Sequence, residues 1–165
     1  MKIKEIEKIL GKKIKKKAIV FGVDTASKSG WALLKTDNLN IYKECGTIKV
    51  DTTDEYLKYN RIIEIFDNII KPEYEVIVEE TFFRFNPRMF RMISRIGAIV
   101  YTIAKLKGCK VQFISAVQAR KKIGVSPTLK KFAVHAEFKN KYPFKFKDRD
   151  ILDGLILALA GLIKE

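Results

Sequence analysis

Asp24 closes an apolar run, Ala18-Ile-Val-Phe-Gly-Val23, in which both alternating faces are apolar. A strand of that kind is covered on both sides, so it belongs at the centre of a sheet flanked by helices. The construction recurs. Val76-Ile-Val78 leads into Glu79, and Asp150 and Asp153 open the apolar stretch Ile151–Ile163. A carboxylate at the end of a buried element is expensive to keep unless a cation meets it. In a chain of net charge +14, acids so placed point to divalent metal ions, with the positive surface left for a phosphate polymer.

At 165 residues there is room for one domain with its own core, and an apolar fraction of 47% argues against disorder. No apolar run approaches the roughly 20 residues that span a bilayer. The stretch Ile96–Ala104, bracketed by Arg91, Arg95, Lys105 and Lys107, reads as part of a buried helix. The basic N-terminus lacks the apolar core and small-residue cleavage site of a secretory signal. Cys45 and Cys109 lack metal-site spacing and read as two reduced thiols, so a cytoplasmic protein without a membrane partner is expected. The charge is the stronger constraint. Thirty-three Lys and Arg face nineteen Asp and Glu, and the basic residues cluster at 12–17, 84–95, 120–131 and 139–149. Such clustering favours a nucleic-acid-binding face over a merely solvated surface.

Residues 1–17 form a basic N-terminal extension with an amphipathic spacing (Ile3, Ile6, Ile9, Leu10, Ile14), either a short helix with a basic linker or a mobile tail. The domain proper spans 18–165. Strands are expected at 18–24, 31–35 and 41–50, antiparallel through short turns, with a small-residue turn at 25–30. Thr53 or Asp54 caps a helix that Pro72 stops, and a strand at 75–80 follows, parallel to the first after a helical crossover. A long helix at 86–107, a strand at 110–114, short helices at 116–123 and 128–139, and a last helix opened by Asp148 or Asp150 complete an α/β order.

Asp24 and Glu79 then lie at the carboxyl ends of adjacent parallel strands, where such sheets build their sites. Asp150 and Asp153 share one helix face. Carboxylate oxygens suit Mg²⁺ or Mn²⁺, and two ions about 4 Å apart can cleave a phosphodiester. Each acid has a plainer reading. Asp24 could form a turn, Asp150 could cap a helix, and Glu80 could replace Glu79 from the opposite face. Asp148 is an auxiliary candidate. His135, the single histidine, reads as a surface or interface residue rather than a base, and Ser27 and Ser29 lack a histidine partner. After Glu79 the chain runs Phe82-Phe-Arg-Phe-Asn-Pro-Arg-Met-Phe90, where Phe82, Phe83, Phe85 and Phe90 interleave with Arg84, Arg88 and Arg91. Rings beside guanidinium groups offer stacking faces next to phosphate partners.

These motifs resemble the RuvC-type Holliday junction resolvases, within the RNase H-like nuclease superfamily. The matching pieces are Phe21-Gly-Val-Asp24 with Ser27-Lys-Ser-Gly-Trp-Ala-Leu33, then Val76-Ile-Val-Glu-Glu-Thr-Phe82, and Asp150-Ile-Leu-Asp-Gly-Leu-Ile-Leu-Ala158, covering about 18–163. The resemblance implies an RNase H-like five-stranded mixed sheet, three strands antiparallel and two added in parallel, flanked by helices. It implies a homodimer making paired Mg²⁺-dependent incisions in a four-way junction, with two ions per site. The family's metal-binding acids fall on Asp24, Glu79, Asp150 and Asp153, and its base-stacking aromatic on Phe82. Its basic active-site residues fall on Arg120 or Lys121 and on Lys130, beside Lys131. Asp24-Thr-Ala departs from the family's Asp-Pro-Gly, and Glu80 from its usual Gln.

The helix at 86–107 carries Met92, Ile96, Ile99, Ile103 and Leu106 with Gly97, and this face is the expected dimer contact. A two-fold dimer suits a junction that offers two symmetry-related strands. The alternatives are another RNase H-like nuclease, cutting RNA–DNA hybrids or other branched DNA, and a module that binds nucleic acid without cutting. The sugar-kinase and actin-like ATPases share a strand-end Asp, but they need a second phosphate-binding domain for which this length has no room.

Overall fold

The computed structural model describes residues 1–82 and 86–164. Strands β1 (Ile19–Asp24), β2 (Lys28–Thr36), β3 (Ile41–Lys49), β4 (Glu75–Glu79) and β5 (Lys110–Ile114) form one sheet in the order β3-β2-β1-β4-β5. The first three pair antiparallel, while β4 joins β1 and β5 joins β4 in parallel. Helix α2 (Glu55–Ile69) crosses to β4, and α3 (Pro87–Leu106) crosses to β5. Then α4 (Ala116–Lys122), α5 (Lys131–Lys141) and α6 (Asp150–Leu162) follow, and α1 (Ile3–Leu10) precedes the sheet. Asp54 caps α2 by accepting from the Leu57 amide at 3.0 Å. This is the expected RNase H-like mixed sheet.

Alternation along β1 divides the core. Val20 faces the α6 side with Ala32, Leu34 and Ile77, while Phe21 and Val23 face the side covered by α2 and α3. Helix α6 is buried at every residue from Ile151 to Leu162, as a helix apolar all round except for Asp153 in this span must be. It lies directly on the strands. A Cβ on Gly22 would stand 2.3 Å from the Gly154 carbonyl oxygen, and one on Gly30 would stand 1.5 Å from that of Asp150. Since Gly30 pairs with Asp24, this contact sets the first turn of α6 beside the end of β1.

Three expectations shift. Strand β2 begins at Lys28 rather than Trp31, because pairing with β1 reaches Gly30 opposite Asp24 and pairing with β3 reaches Lys28 opposite Lys49. Helix α5 begins at Lys131 rather than Thr128, since the Ser126 amide is held by the Glu137 carboxylate and the chain stays looped through Pro127. The apolar face assigned to a dimer contact is mostly spent within the chain. Ile96, Gly97 and Ile103 are buried, Met92 and Ile99 pack on the same cluster, and of the residues named only Leu106 is exposed. Helix α3 must cover this side of β4 and β5, which consumes that face.

The N-terminal residues pack rather than trail. Ile3, Ile6 and Ile14 belong to the core, and Ile14 bridges Ile163 just beyond α6. Cys45 and Cys109 are free thiols. Among the described residues no helix is long and apolar enough to cross a membrane.

Candidate active site

The register that sets Val23 opposite Val78 brings the next residues, Asp24 and Glu79, together at one edge of the sheet. Their carboxyl groups are close enough to act on each other directly. Burial, then the Asp24 charge, pushes Glu79 up to about 9. Burial likewise raises Asp24, and the Asp153 charge adds to it. Such a pair is short of positive charge: at neutral pH it keeps a proton that a cation could replace.

Asp153, on the first turn of α6, is 7% exposed and turns to two cations. Arg120 Nη2 lies 3.4 Å from its Oδ1, and Lys131 Nζ lies 3.1 Å from its Oδ2. Asp24, Glu79, Asp153, Arg120 and Lys131 line one cleft of about 480 Å³ between β1, β4, α3, α4 and α6. The rest of its wall is largely apolar, including Phe82, Met89 and Ile93. Burial alone would lower the Lys131 ammonium, but Asp153, Asp24 and Asp150 raise it on balance.

Asp150 stands at the start of α6, turned to Lys28 Nζ at 3.0 Å and Lys131 Nζ at 3.6 Å. It is not needed as a cap. The N-cap position is Arg149, whose side chain makes no cap bond, and the Asp148 carboxylate one residue earlier accepts the Asp150 amide at 3.0 Å while also binding Lys28. Lys28 therefore bridges Asp148 and Asp150, which lowers Asp148 and raises Lys28. Sequence reasoning missed Lys28. It is 120 residues from Asp148, and nothing local marks the pairing.

Among the described residues no three Asp, Glu, His or Cys side chains are grouped so as to hold one metal ion. The acids turn instead to each other and to the protein's own cations. The donor chemistry nonetheless fits a hard divalent ion. Carboxylates from β1, β4 and α6 face one cleft, and two of them must share a proton without added charge.

The basic and aromatic candidates divide. Phe82 is 58% exposed and lines the cleft. Arg120 points inward to Asp153, and its Nε is buried with no hydrogen-bond partner among the described residues. Lys131 also faces the acids. Arg88, Lys121 and Lys130 are exposed. Arg84, with Phe83 and Phe85, lies outside the described residues. Phe90 is half-buried and lines both the cleft and an outer groove beside Pro87 and Arg91, and His135 packs its ring edge-on against Phe146. Thr25, where the family has Pro, also lines the cleft with its hydroxyl buried and without a partner among the described residues.

No family model matches the sequence, and no curated protein matches it. Among solved structures the fold is similar to that of RuvC from Thermus thermophilus, with a TM-score of 0.70 at 16% identity, covering 88% of this chain and 98% of that one. A T. thermophilus RuvC structure in complex with Holliday junction substrate gives a TM-score of 0.69 at 17% identity, covering 86% and 91%. The chain thus has a RuvC-like fold over nearly its whole length.

Proposed function

We propose that this protein is a metal-dependent endonuclease that resolves four-way DNA junctions. The observation that carries the reading is the cleft where Asp24, Glu79 and Asp153 converge beside the exposed Phe82, on a RuvC-like fold. A chain of net charge +14 with Arg88, Lys121 and Lys130 exposed has the means to hold the phosphate backbone.

In this reading Asp24, Glu79, Asp150 and Asp153 would hold Mg²⁺ or Mn²⁺, two ions per site. Bound there, the ions would activate water and stabilise the leaving oxygen. The protein's own groups do the rest. Glu79 gives up its shared proton when positive charge enters, because the burial that keeps it neutral no longer decides. Arg120 holds Asp153 at the cleft wall, and the Gly30 contact fixes the height of α6 above the strands. Phe82 stacks on a base and opens the junction centre. A homodimer would place two such clefts on the two symmetry-related strands. Its contact must use surfaces other than the buried face of α3, and sedimentation showing a monomer at micromolar protein would remove the dimer.

The test is incubation with labelled four-way junction, duplex, fork and RNA–DNA hybrid, with Mg²⁺ or EDTA, for wild type and Asp24→Asn. Symmetric, Mg²⁺-dependent nicks on the junction that vanish in the variant while binding persists are expected. Preferential cutting of the hybrid or fork would move the reading to another RNase H-like nuclease, and binding without cutting would leave only a nucleic-acid-binding module.

A further inference from the structure

We infer that the cleft beside the acids is a pocket for one unpaired nucleobase, and that Glu80 reads its Watson–Crick edge with a preference for guanine. The inference rests on the junction-cutting reading and adds a base to it.

Glu80 follows the last residue of β4, and its amide donates to the Ile114 carbonyl at 3.0 Å. That bond prolongs the β4–β5 ladder, so the backbone at Glu80 is fixed. Its side chain is exposed and lines the same cleft as Asp24, Glu79 and Asp153. Among the described residues its carboxylate has no ion pair or hydrogen bond, unlike Asp148, Asp150 and Asp153, which each have one. The wall between Glu80 and α3 is made by Phe82, Met89, Phe90 and Ile93, flat or apolar surfaces suited to the face of a base.

An unpaired anion in the path of a polyanion needs a reason. Phosphates and deoxyribose ethers offer only acceptors, so along DNA a carboxylate can meet donors only on base edges. In duplex those on the Watson–Crick edge are occupied. In an unpaired base they are free, and guanine alone sets two side by side, N1–H and N2–H, to match two carboxylate oxygens. Cytosine and adenine offer one amino group there, and thymine sets a single N–H between two carbonyls that repel the carboxylate. Phe82, two residues on and 58% exposed, supplies the ring that keeps such a base out of the stack.

The test uses immobile junctions identical except at the nucleotide next to the cut, which is guanine, inosine, cytosine, adenine or thymine. Inosine keeps N1–H and lacks N2–H. Wild type with Mg²⁺ is expected to cut the guanine junction about tenfold faster than the inosine one, with thymine slowest, in line with a bidentate base contact. Glu80→Gln, which can donate as well as accept, should lose the guanine preference, and Glu80→Ala should flatten the profile across all five. The same ranking is read without catalysis, as junction affinities of Asp24→Asn protein with and without Glu80→Ala. An unchanged profile in both Glu80 variants overturns the inference. So does loss of Mg²⁺ binding by calorimetry in Glu80→Ala, which would make Glu80 a metal ligand. If wild type cuts no junction while Asp24→Asn still prefers guanine through Glu80, the nuclease reading fails and the base pocket stands.

Discussion

Asp24 and Glu79 meet carboxyl to carboxyl at the ends of neighbouring parallel strands, and Glu79 is pushed up to about 9. Because the folded protein prefers neutral Glu79, its contribution to stability is full below its ordinary value of 4.5 and is lost as pH rises toward about 9. The raw curve also contains the relief of self-repulsion as the net charge of +14 falls, which acts in the opposite direction. The difference between wild type and Glu79→Gln isolates the pair. In EDTA the variant should gain on wild type steadily from pH 5 to pH 9, by urea unfolding. With millimolar Mg²⁺ that gain should shrink or reverse, since the ion supplies the missing charge.

Arg120 and Lys131 both serve Asp153, but unequally. The Arg120 side chain is 13% exposed and that of Lys131 47%. Removing a partner from a buried acid costs about 3–5 kcal/mol when no other cation remains. Here Lys131 stays, so Arg120→Ala should cost about 2 kcal/mol. Lys131→Ala should cost no more than about 1 kcal/mol, as for solvent-screened pairs. Chemical denaturation at pH 7 ranks the two, and equal costs would contradict the geometry.

Gly30→Ala tests the seat of α6. The added methyl would lie 1.5 Å from the Asp150 carbonyl oxygen, and backbone cannot step aside as a side-chain tip can. Helix α6 must retreat and take Asp150 and Asp153 with it. A loss of about 3 kcal/mol is expected, the upper part of the range for overpacking. Mg²⁺ affinity should fall as well, whereas Gly108→Ala, where no atom lies within 4 Å, should leave Mg²⁺ affinity unchanged despite its backbone strain.

The N-terminal segment should matter to the fold before it matters to DNA. Ile6 is fully buried and Ile14 is 1% exposed. Ile6→Ala should therefore cost about 2–5 kcal/mol, as large-to-small core changes do. Exchanging Lys12, Lys13 and Lys16 for Gln should leave the unfolding midpoint nearly unchanged and lower the salt dependence of junction binding only if this segment touches phosphate.

What could be read from the chain follows from the range of the interactions. The strand-end acids were legible because Val23–Asp24 and Val78–Glu79 each mark a local change from apolar to charged, and parallel pairing then aligns them. The amphipathic spacing of Ile3, Ile6 and Ile14 was legible too, but not that Lys2 would bridge Asn40 ahead of β3 and Ile14 would bridge Ile163 beyond α6. Lys28 with Asp148 and Asp150, and Lys131 with Asp153, are meetings of distant residues that leave no periodic trace. The inward face of α3 was misjudged for a related reason. Apolar spacing states that a face will be buried and does not say whether by the chain's own sheet or by a second copy.

Phe82 offers the sharpest separation of binding from cutting. The ring is 58% exposed at the mouth of the cleft, three residues beyond the end of β4, so its loss disturbs little of the core. Affinity for a junction comes mainly from neutralised phosphates, for which Arg88, Lys121 and Lys130 are exposed. Phe82→Ala should therefore bind a four-way junction within a few-fold of wild type, with an unchanged salt slope. Its cutting rate should fall by about 5- to 150-fold, because one stacked base is worth about 1–3 kcal/mol. Phe82→Trp should restore most of the rate, since the indole offers the same face. A variant that cuts normally would remove Phe82 from the opening of the junction, and one that fails to bind would make it an affinity residue instead.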